Sequence, residues 1–306
     1  MHGVYVLGMH RSGTSLLAGV IDALGFHGGP PDTMLKPDEF NRDGYWEQRP
    51  IVELHDEVLL KLGGFASAPP KLTTLDPDLA REVGGRIDDT IADFQRPWFV
   101  KDPRQVLLLD AWDAALGAQA FAVIASRRPH DVIRSLRHRN GYSAELAGGL
   151  WEHYTHALLE SSRGRRCYVV HYDDLLARRH EVITDLARVL SGAISLGGAI
   201  QQPAIDAAVA LVGCPGEASS STATPPTHTS ELLPEQVQLY DVIRELRGHH
   251  GALDLPRLPP ISSAGRHAIE WRRRRLRAAS YFFGRSLNVR AALDRRRPIT
   301  RATSTA

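Results

Sequence analysis

The 306-residue sequence predicts an α/β fold of three layers, with a central parallel β-sheet flanked by helices. Short, mostly apolar runs, typical of buried strands, recur at 4–7, 98–101, 120–125 and 167–171. Segments of helical periodicity separate these runs, and the connections are too long for hairpins, which predicts βαβ units and a parallel sheet. Apolar residues make up 43% and charged residues 24% of the chain, as in an ordinary globular protein.

The first strand leads into a loop of small residues. Residues 4–7 are apolar, Gly8 ends the run, and helical spacing begins at Gly13 with an apolar face of Leu16, Leu17, Val20, Ile21 and Leu24. A strand, a glycine loop and a helix N-terminus together point backbone N–H groups at an anion. We therefore expect a phosphate-binding loop here.

The later elements come in order along the chain. A stretch at 25–44 is rich in Pro, Gly and Asp and lacks periodicity, which is typical of a functional loop. Asp102 and Pro103 are suited to the cap and first position of a helix. The remaining helices are predicted at 50–62, 77–94, 102–117, 129–138, 143–161, 175 or 179 to 190, and 234–247.

Charge divides the chain into two parts. Residues 265–306 contain twelve arginines and two acids, a net charge of +10, so the preceding residues carry −8 within the total of +2. We predict an α/β domain over 1–250 and a proline- then arginine-rich C-terminal extension over 251–306. Cys167 and Cys214 suggest no disulfide framework, and the sequence shows no signal peptide or apolar run of about 18 residues, so we expect a cytoplasmic protein.

Cations lie at or shortly beyond the carboxyl ends of three of the four predicted strands. In parallel sheets, ligands bind beyond the carboxyl ends of the strands. These ends present Arg11, Lys101, Arg127 and Tyr172. An anion is the ligand that such an edge favours.

The first loop differs from the nucleoside-triphosphate loop in one position. Gly8 and Gly13 have the glycine spacing of that loop, but Thr14 stands where its lysine belongs. Because the lysine contacts the β- and γ-phosphates, an ordinary kinase or ATPase is disfavoured, although the fold is P-loop-like. The cation of this loop is Arg11.

Four motifs together resemble the sulfotransferase family. Arg-Ser-Gly-Thr-Ser at 11–15 resembles its 5′-phosphosulfate loop, and Arg127 with Ser135 resembles its 3′-phosphate site. Tyr172, before two acids, is similar to a Tyr-Glu-Asp segment near the adenine, although Asp173 and Asp174 also suit a helix cap. Lys101-Asp-Pro resembles the segment in tyrosylprotein sulfotransferases whose lysine reaches the transferring group.

The resemblance covers 4–190 and is nearest to bacterial members with a His-Arg-Ser-Gly-Thr loop. It implies 3′-phosphoadenosine-5′-phosphosulfate (PAPS) as donor and no metal. The implied donor-binding residues are Arg11, Ser12, Gly13, Thr14, Ser15, Arg127, Ser135 and Tyr172. Lys101 and Arg11 are the implied catalytic cations. The family's C-terminal Arg-Lys-Gly segment is missing from the sequence, which leaves Arg244, Arg247 or Arg257 to complete the 3′ site.

Transfer of a sulfuryl group also requires a base for the acceptor hydroxyl. Glu47 is our first candidate, because the bulky residues before it favour a desolvated carboxylate, and His55 is the second. His10 is expected to shape the loop. Other candidates on the same stretch are Asp32, Asp38, Glu39, Asp43 and Asp56.

The expected acceptor is a hydroxyl of a carbohydrate, a glycolipid or a small metabolite. Two alternatives stay open: a divergent P-loop kinase or phosphotransferase, and a non-catalytic anion-binding protein. The arginine-rich tail has three possible interpretations. It attaches the protein to an anionic membrane surface, it docks to a polyanion or partner protein, or it is a loosely packed end. Since no base-reading module accompanies the charge, we expect no specific nucleic-acid binding.

Overall fold

The computed structural model describes residues 3–38, 44–71, 74–117, 120–194, 198–213 and 232–282. Five strands form one sheet in the order β2-β1-β3-β4-β5, in which only β5 runs antiparallel, to β4. This confirms the α/β fold with a mostly parallel sheet between helices. The strands are β1 (Gly3–Leu7), β2 (Trp98–Val100), β3 (Phe121–Ser126), β4 (Cys167–His171) and β5 (Gly248–His250).

The helices of the described residues lie on both faces of this sheet. Short 3-10 turns at Pro31–Thr33 and Pro103–Leu107 add to them. The helices are α1 (Thr14–Ala23), α2 (Arg49–Lys61), α3 (Pro77–Ile91), α4 (Leu109–Leu116), α5 (Pro129–Asn140), α6 (Ala144–Ser162), α7 (Tyr172–Ala177), α8 (Arg179–Ala193), α9 (Gln202–Leu211), α10 (Pro234–Glu245) and α11 (Ser263–Phe282).

Alternation along β1 explains the layers. Tyr5 and Leu7 belong to one apolar core and Val4 and Val6 to the other, since successive strand residues point to opposite faces. The first core contains residues of α2 to α6, α10 and α11, and the second contains residues of α1, α7, α8 and α9. All four of these β1 residues are fully buried. A strand buried on both faces has the continuous apolar sequence seen here.

Three elements differ from the sequence predictions. The single helix predicted over 102–117 is a 3-10 turn followed by α4, because Leu108 leaves helical geometry at φ −134°. Asp102 is still the cap, since its side chain accepts a hydrogen bond from the Arg104 N–H. The helix α9 and the strand β5 were not predicted. The three residues of β5, Gly-His-His, carry no apolar alternation, so only pairing with β4 makes them a strand.

The segment after residue 250 packs on the preceding domain. Backbone hydrogen bonds join Gly164 and Arg165 to Leu253, and α11 lies along α6. The two helices meet at glycines: a Cβ on Gly149 would lie 2.7 Å from the Cα of Gly265. The remainder of the predicted extension, 283–306, lies outside the described residues, as does Cys214. Within the described residues, no helix has the length and apolar character needed to cross a membrane.

Candidate functional site

The carboxyl edge of the sheet brings the four predicted strand ends together. β1 pairs with β2 and β3, and β3 pairs with β4, all in parallel. The residues just beyond these strands therefore lie side by side, as expected for a parallel sheet. The glycine loop comes after β1, Lys101 after β2, Arg127 after β3 and Tyr172 after β4.

The glycine loop (8–13) has two residues in left-handed backbone conformation, Arg11 at φ 70° and Gly13 at φ 90°. A Cβ on Gly13 would lie 2.5 Å from a ring carbon of Tyr172. Position 13 therefore needs glycine for its backbone angle and for the close approach of the tyrosine. The positive φ of Arg11 is less usual, because few non-glycine residues adopt it. Residues that do adopt it often occur at functional sites.

Three residues predicted to bind phosphate groups contact one another. The Arg11 Nε donates a hydrogen bond to the Ser135 Oγ at 2.8 Å, and an Arg127 Nη donates to the Arg11 carbonyl at 3.3 Å. The Arg127 guanidinium also lies over the Tyr172 ring, 4.3 Å from its centroid. Because Tyr172 lies against both Gly13 and Arg127, it holds the loop against β3 and β4.

This cluster has unused hydrogen-bonding capacity. The Arg127 Nε is buried and has no hydrogen-bond partner among the described residues. Burial lowers the pKa of Arg11, and the charges of Arg139 and Arg127 act in the same direction. Cations held this close repel one another, so an anion placed among them would be stabilised.

Lys101 and Glu47 form a buried ion pair beside the loop. The Lys101 Nζ lies 2.6 Å from the Glu47 Oε1, and their side chains are 1% and 8% exposed. The same Nζ donates to the Ser15 Oγ at 3.2 Å, which connects the pair to the first turn of α1. Burial raises the pKa of Glu47 and lowers that of Lys101, while each partner opposes the effect on the other. Ionisable groups whose pKa values are shifted by burial beside a charged partner are typical of functional sites.

The backbone before Glu47 turns its side chain inward. Trp46 has a positive φ of 63°, unusual for a bulky residue, and its ring packs on Phe99 at 5.9 Å. The Glu47 carbonyl accepts a hydrogen bond from the Leu35 N–H at 2.8 Å. The Glu47 Oε2 is buried without a hydrogen-bond partner among the described residues. One carboxylate oxygen thus pairs with Lys101, and the other is a buried acceptor without a partner in the described residues.

His55, the second candidate base, is fully buried and has both ring nitrogens engaged. Its Nδ1 lies 2.9 Å from the Asp102 Oδ2, and its Nε2 lies 3.0 Å from the Trp112 Nε1, which donates to it. Burial acts to raise the pKa of Asp102, but Arg104 and His55 outweigh it, and the net shift is downward. Both ring nitrogens of His55 are thus occupied, whereas one oxygen of Glu47 has no hydrogen-bond partner among the described residues.

The other candidate bases have different surroundings from those of Glu47. Asp56 pairs with Arg104 at 2.9 Å, and Asp38 accepts a hydrogen bond from the Tyr45 hydroxyl. Asp32 is exposed in the 3-10 turn after α1. Glu39 and Asp43 lie outside the described residues.

The structure adds residues that the sequence analysis did not assign to the site. Arg139 donates to the Tyr45 hydroxyl at 2.7 Å and acts on the pKa of Arg11. Its position, one helical turn after Ser135, is a signal that could have identified it. His10 is partly buried and packs edge-on against Tyr154 at 5.3 Å. Burial lowers the pKa of His10 to about 3, so its imidazole is neutral.

Two of the three arginines considered for the 3′ site lie near Arg127. Arg244 and Arg247 line a small cavity of 60 Å³ together with Arg127, Arg128 and Tyr172, whereas Arg257 does not line it. Arg247 also pairs with Asp174 at 3.2 Å. A larger cavity of 490 Å³ continues from there along β4 and α8. The smaller cavity therefore adjoins the cation cluster at Arg127 and Tyr172, and the buried Lys101–Glu47 pair lines neither cavity.

No protein-family model matches the chain, and a comparison with curated proteins finds no match. Within the described part of the chain, no group of three or more His, Cys, Asp or Glu side chains is arranged to hold a metal ion.

Proposed function

We propose that the protein is a sulfotransferase that moves a sulfuryl group from PAPS to a hydroxyl of a carbohydrate, a glycolipid or a small metabolite. The observation that carries the proposal is that a buried carboxylate–ammonium pair, Glu47 and Lys101, contacts the first turn of the helix that begins at a cationic glycine loop. Sulfuryl transfer requires both parts: cations for the donor's phosphates, and a base with a cation at the reacting group.

The cation cluster supports a donor with two phosphate groups. Arg11 and the N–H groups of the glycine loop suit the 5′ phosphosulfate, while Arg127 and Ser135 suit the 3′-phosphate. The direct Arg11–Ser135 contact, at 2.8 Å, supports two phosphate subsites that lie close together. A donor that carries its 3′- and 5′-phosphates on one ribose needs two subsites on the same side of the sheet. Bound donor would replace the present contact with charge-assisted hydrogen bonds to its phosphates.

The transfer step depends on the Glu47–Lys101 pair. The acceptor oxygen forms a bond to sulfur while the bond between sulfur and the bridging oxygen of the 5′-phosphate breaks. The acceptor proton passes to the free Glu47 oxygen, and the electron pair of the broken bond stays on the phosphate of adenosine 3′,5′-bisphosphate. Lys101 stabilises the charge that develops on that bridging oxygen, a role suited to a compact ammonium.

A kinase mechanism receives less support from the strands beside β1. A triphosphate site of that type uses an aspartate at a strand end to hold Mg²⁺. The aspartate after β2 is Asp102, whose two oxygens already accept from Arg104 and lie against His55. The residue directly after β3 is Arg127, a cation. Both neighbours of β1 therefore present groups suited to an anionic donor.

The proposal is tested by thermal unfolding with adenosine 3′,5′-bisphosphate, with adenosine 5′-monophosphate as the analogue that lacks the 3′-phosphate. At one hundred times the dissociation constant, we expect about 2.7 kcal/mol of stabilisation, or a midpoint shift of about 5 °C. Arg127→Ala should abolish the preference for the bisphosphate. Arg134→Ala, which removes a half-exposed arginine one residue before Ser135, is the matched control and should retain it.

Transfer is measured with radiolabelled PAPS and a panel of carbohydrate and phenolic acceptors. Glu47→Gln should leave the bisphosphate shift intact and slow transfer about 10²- to 10⁴-fold, because it removes the base. An absent or equal shift with the two nucleotides would refute the PAPS proposal. A normal nucleotide shift with unaltered turnover in Glu47→Gln would refute the assigned base alone. Binding without turnover in the unmodified protein would favour the non-catalytic alternative.

A further inference from the structure

The C-terminal helix α11 has an inner and an outer face of different character. Gly265, Ile269 and Leu276 are buried against the domain. Two arginines on this inner side also have partners, since Arg272 lies 4.7 Å from the Tyr142 ring centroid and Arg273 donates to the Pro69 carbonyl. The arginines of α11 are therefore not one uniform charged segment. Those on the inner side attach the helix to the domain.

The outer side forms a basic face, which we define as Arg266, Glu270, Trp271, Arg274, Arg275, Arg277 and the adjacent Lys71. Five of these residues are cations and one is an acid. Lys71 is exposed and close enough to act on the pKa of Glu270. Arg277 contacts the Gly63 carbonyl at 3.0 Å and keeps its exposed position at the edge of the face.

An exposed tryptophan distinguishes this face from ordinary charged surface. Trp271 is 54% exposed. Several large apolar side chains are exposed in the described residues, and Trp271 is the aromatic one among them. The Arg275 guanidinium lies 4.7 Å from the Trp271 ring centroid, so an indole and a cation project together from the helix. An apolar ring with a polar N–H, adjacent to arginines, is a combination favoured at the interface between lipid headgroups and acyl chains.

We propose that the basic face of α11 binds the surface of an anionic phospholipid membrane. The helix would lie parallel to the bilayer, with Trp271 at the level of the headgroups and the arginines on lipid phosphates and carboxylates. The sequence adds six arginines and one aspartate at 283–306, directly after the face, and so increases the attraction. A convex helical face can contact a planar surface. The exposed indole favours a lipid surface over a nucleic acid, because contacts to phosphates alone would be enough to bind a nucleic acid. This inference does not depend on the proposed enzymatic activity.

The test uses the full chain and sedimentation with two kinds of vesicle, phosphatidylcholine alone and phosphatidylcholine with about one third phosphatidylserine. We expect binding to the second kind and much weaker binding to the first. The double variant Arg274→Gln, Arg275→Gln should weaken the partition coefficient about 25-fold, at about fivefold for each cation near the surface. Trp271→Ala should also weaken it, at unchanged net charge.

Matched controls remove the same groups elsewhere. Arg81 and Arg188 are exposed arginines of α3 and α8, each in an exposed ion pair, so Arg81→Gln, Arg188→Gln changes the net charge equally. Leu211→Ala removes a 53% exposed apolar side chain from α9. Equal losses in the α11 variants and their controls would overturn the proposal, as would the absence of vesicle binding at low salt. So would tighter binding to a DNA duplex that Trp271→Ala leaves unchanged, since the face would then be a nucleic-acid site.

Discussion

The edge of the sheet and the outer surface of the helices use similar charged residues in different ways. Beneath the glycine loop, Asp102 is fully buried and each of its carboxylate oxygens has a partner. On the surface, Asp78 pairs with Arg81 at a similar distance, yet both side chains are more than 70% exposed. Water screens the surface pair and is excluded from the buried one, so only the buried charges depend strongly on their partners.

The largest difference between these regions should appear when one carboxylate is removed from each. Asp102→Asn leaves Arg104 and His55 without their buried anion, and we expect a loss of about 3–5 kcal/mol in the free energy of unfolding. Asp78→Asn should cost less than about 1 kcal/mol. Urea denaturation of both variants measures the two values. Similar losses in the two variants would show that burial does not govern these pairs.

Two glycines of similar backbone conformation provide a second comparison. Gly13 has φ 90° and faces the Tyr172 ring, whereas Gly141 has φ 64° and nothing within 4 Å of its added Cβ. Gly13→Ala should therefore cost about 2–5 kcal/mol, from backbone strain and overpacking together. Gly141→Ala should cost only the strain, about 1–2 kcal/mol. Equal costs in urea denaturation would mean that Tyr172 moves away at little expense.

The smallest expected difference is between a buried and an exposed histidine, and it concerns how stability depends on pH. Burial lowers the pKa of His153 to about 3, from an ordinary value of 6.5, whereas His130 is exposed. Between these two pH values the unfolded chain binds a proton that the folded protein excludes, so stability falls as pH decreases from 6.5. At pH 5, the exclusion of this proton by folded His153 lowers the free energy of unfolding by about 2 kcal/mol. The value follows from about 1.4 kcal/mol for each pH unit below 6.5.

The variants that isolate this effect are His153→Gln and His130→Gln. Removal of the buried His153 should reduce the slope of unfolding free energy against pH between 5 and 6.5 by more than removal of the exposed His130 does. The measurement is a series of urea titrations across that range. An unchanged slope in His153→Gln would show that this imidazole is protonated in the folded state without penalty.

Sequence alone was sufficient for the parts of the site that depend on neighbours along the chain. The apolar runs before Gly8, Lys101 and Arg127 predicted strands, and the parallel sheet places these three residues at one edge. The predictions were weaker where local signals are weak. The strand β5 depends on β4 for its hydrogen bonds, and the predicted helix over 102–117 is interrupted at Leu108.

Tertiary structure decided which of the candidate side chains meet. Arg11 and Ser135 are 124 positions apart and form a hydrogen bond, while Trp112 and Asp102 occupy both nitrogens of His55. The residues next to each of these side chains in the sequence do not indicate such contacts. The contacts depend on how α2, α4 and α5 pack on the sheet. The sequence by itself determined the fold class and the edge where anions are expected. Packing determined that Glu47, with its free oxygen, lies against Lys101, because burial and partner geometry are properties of the folded chain.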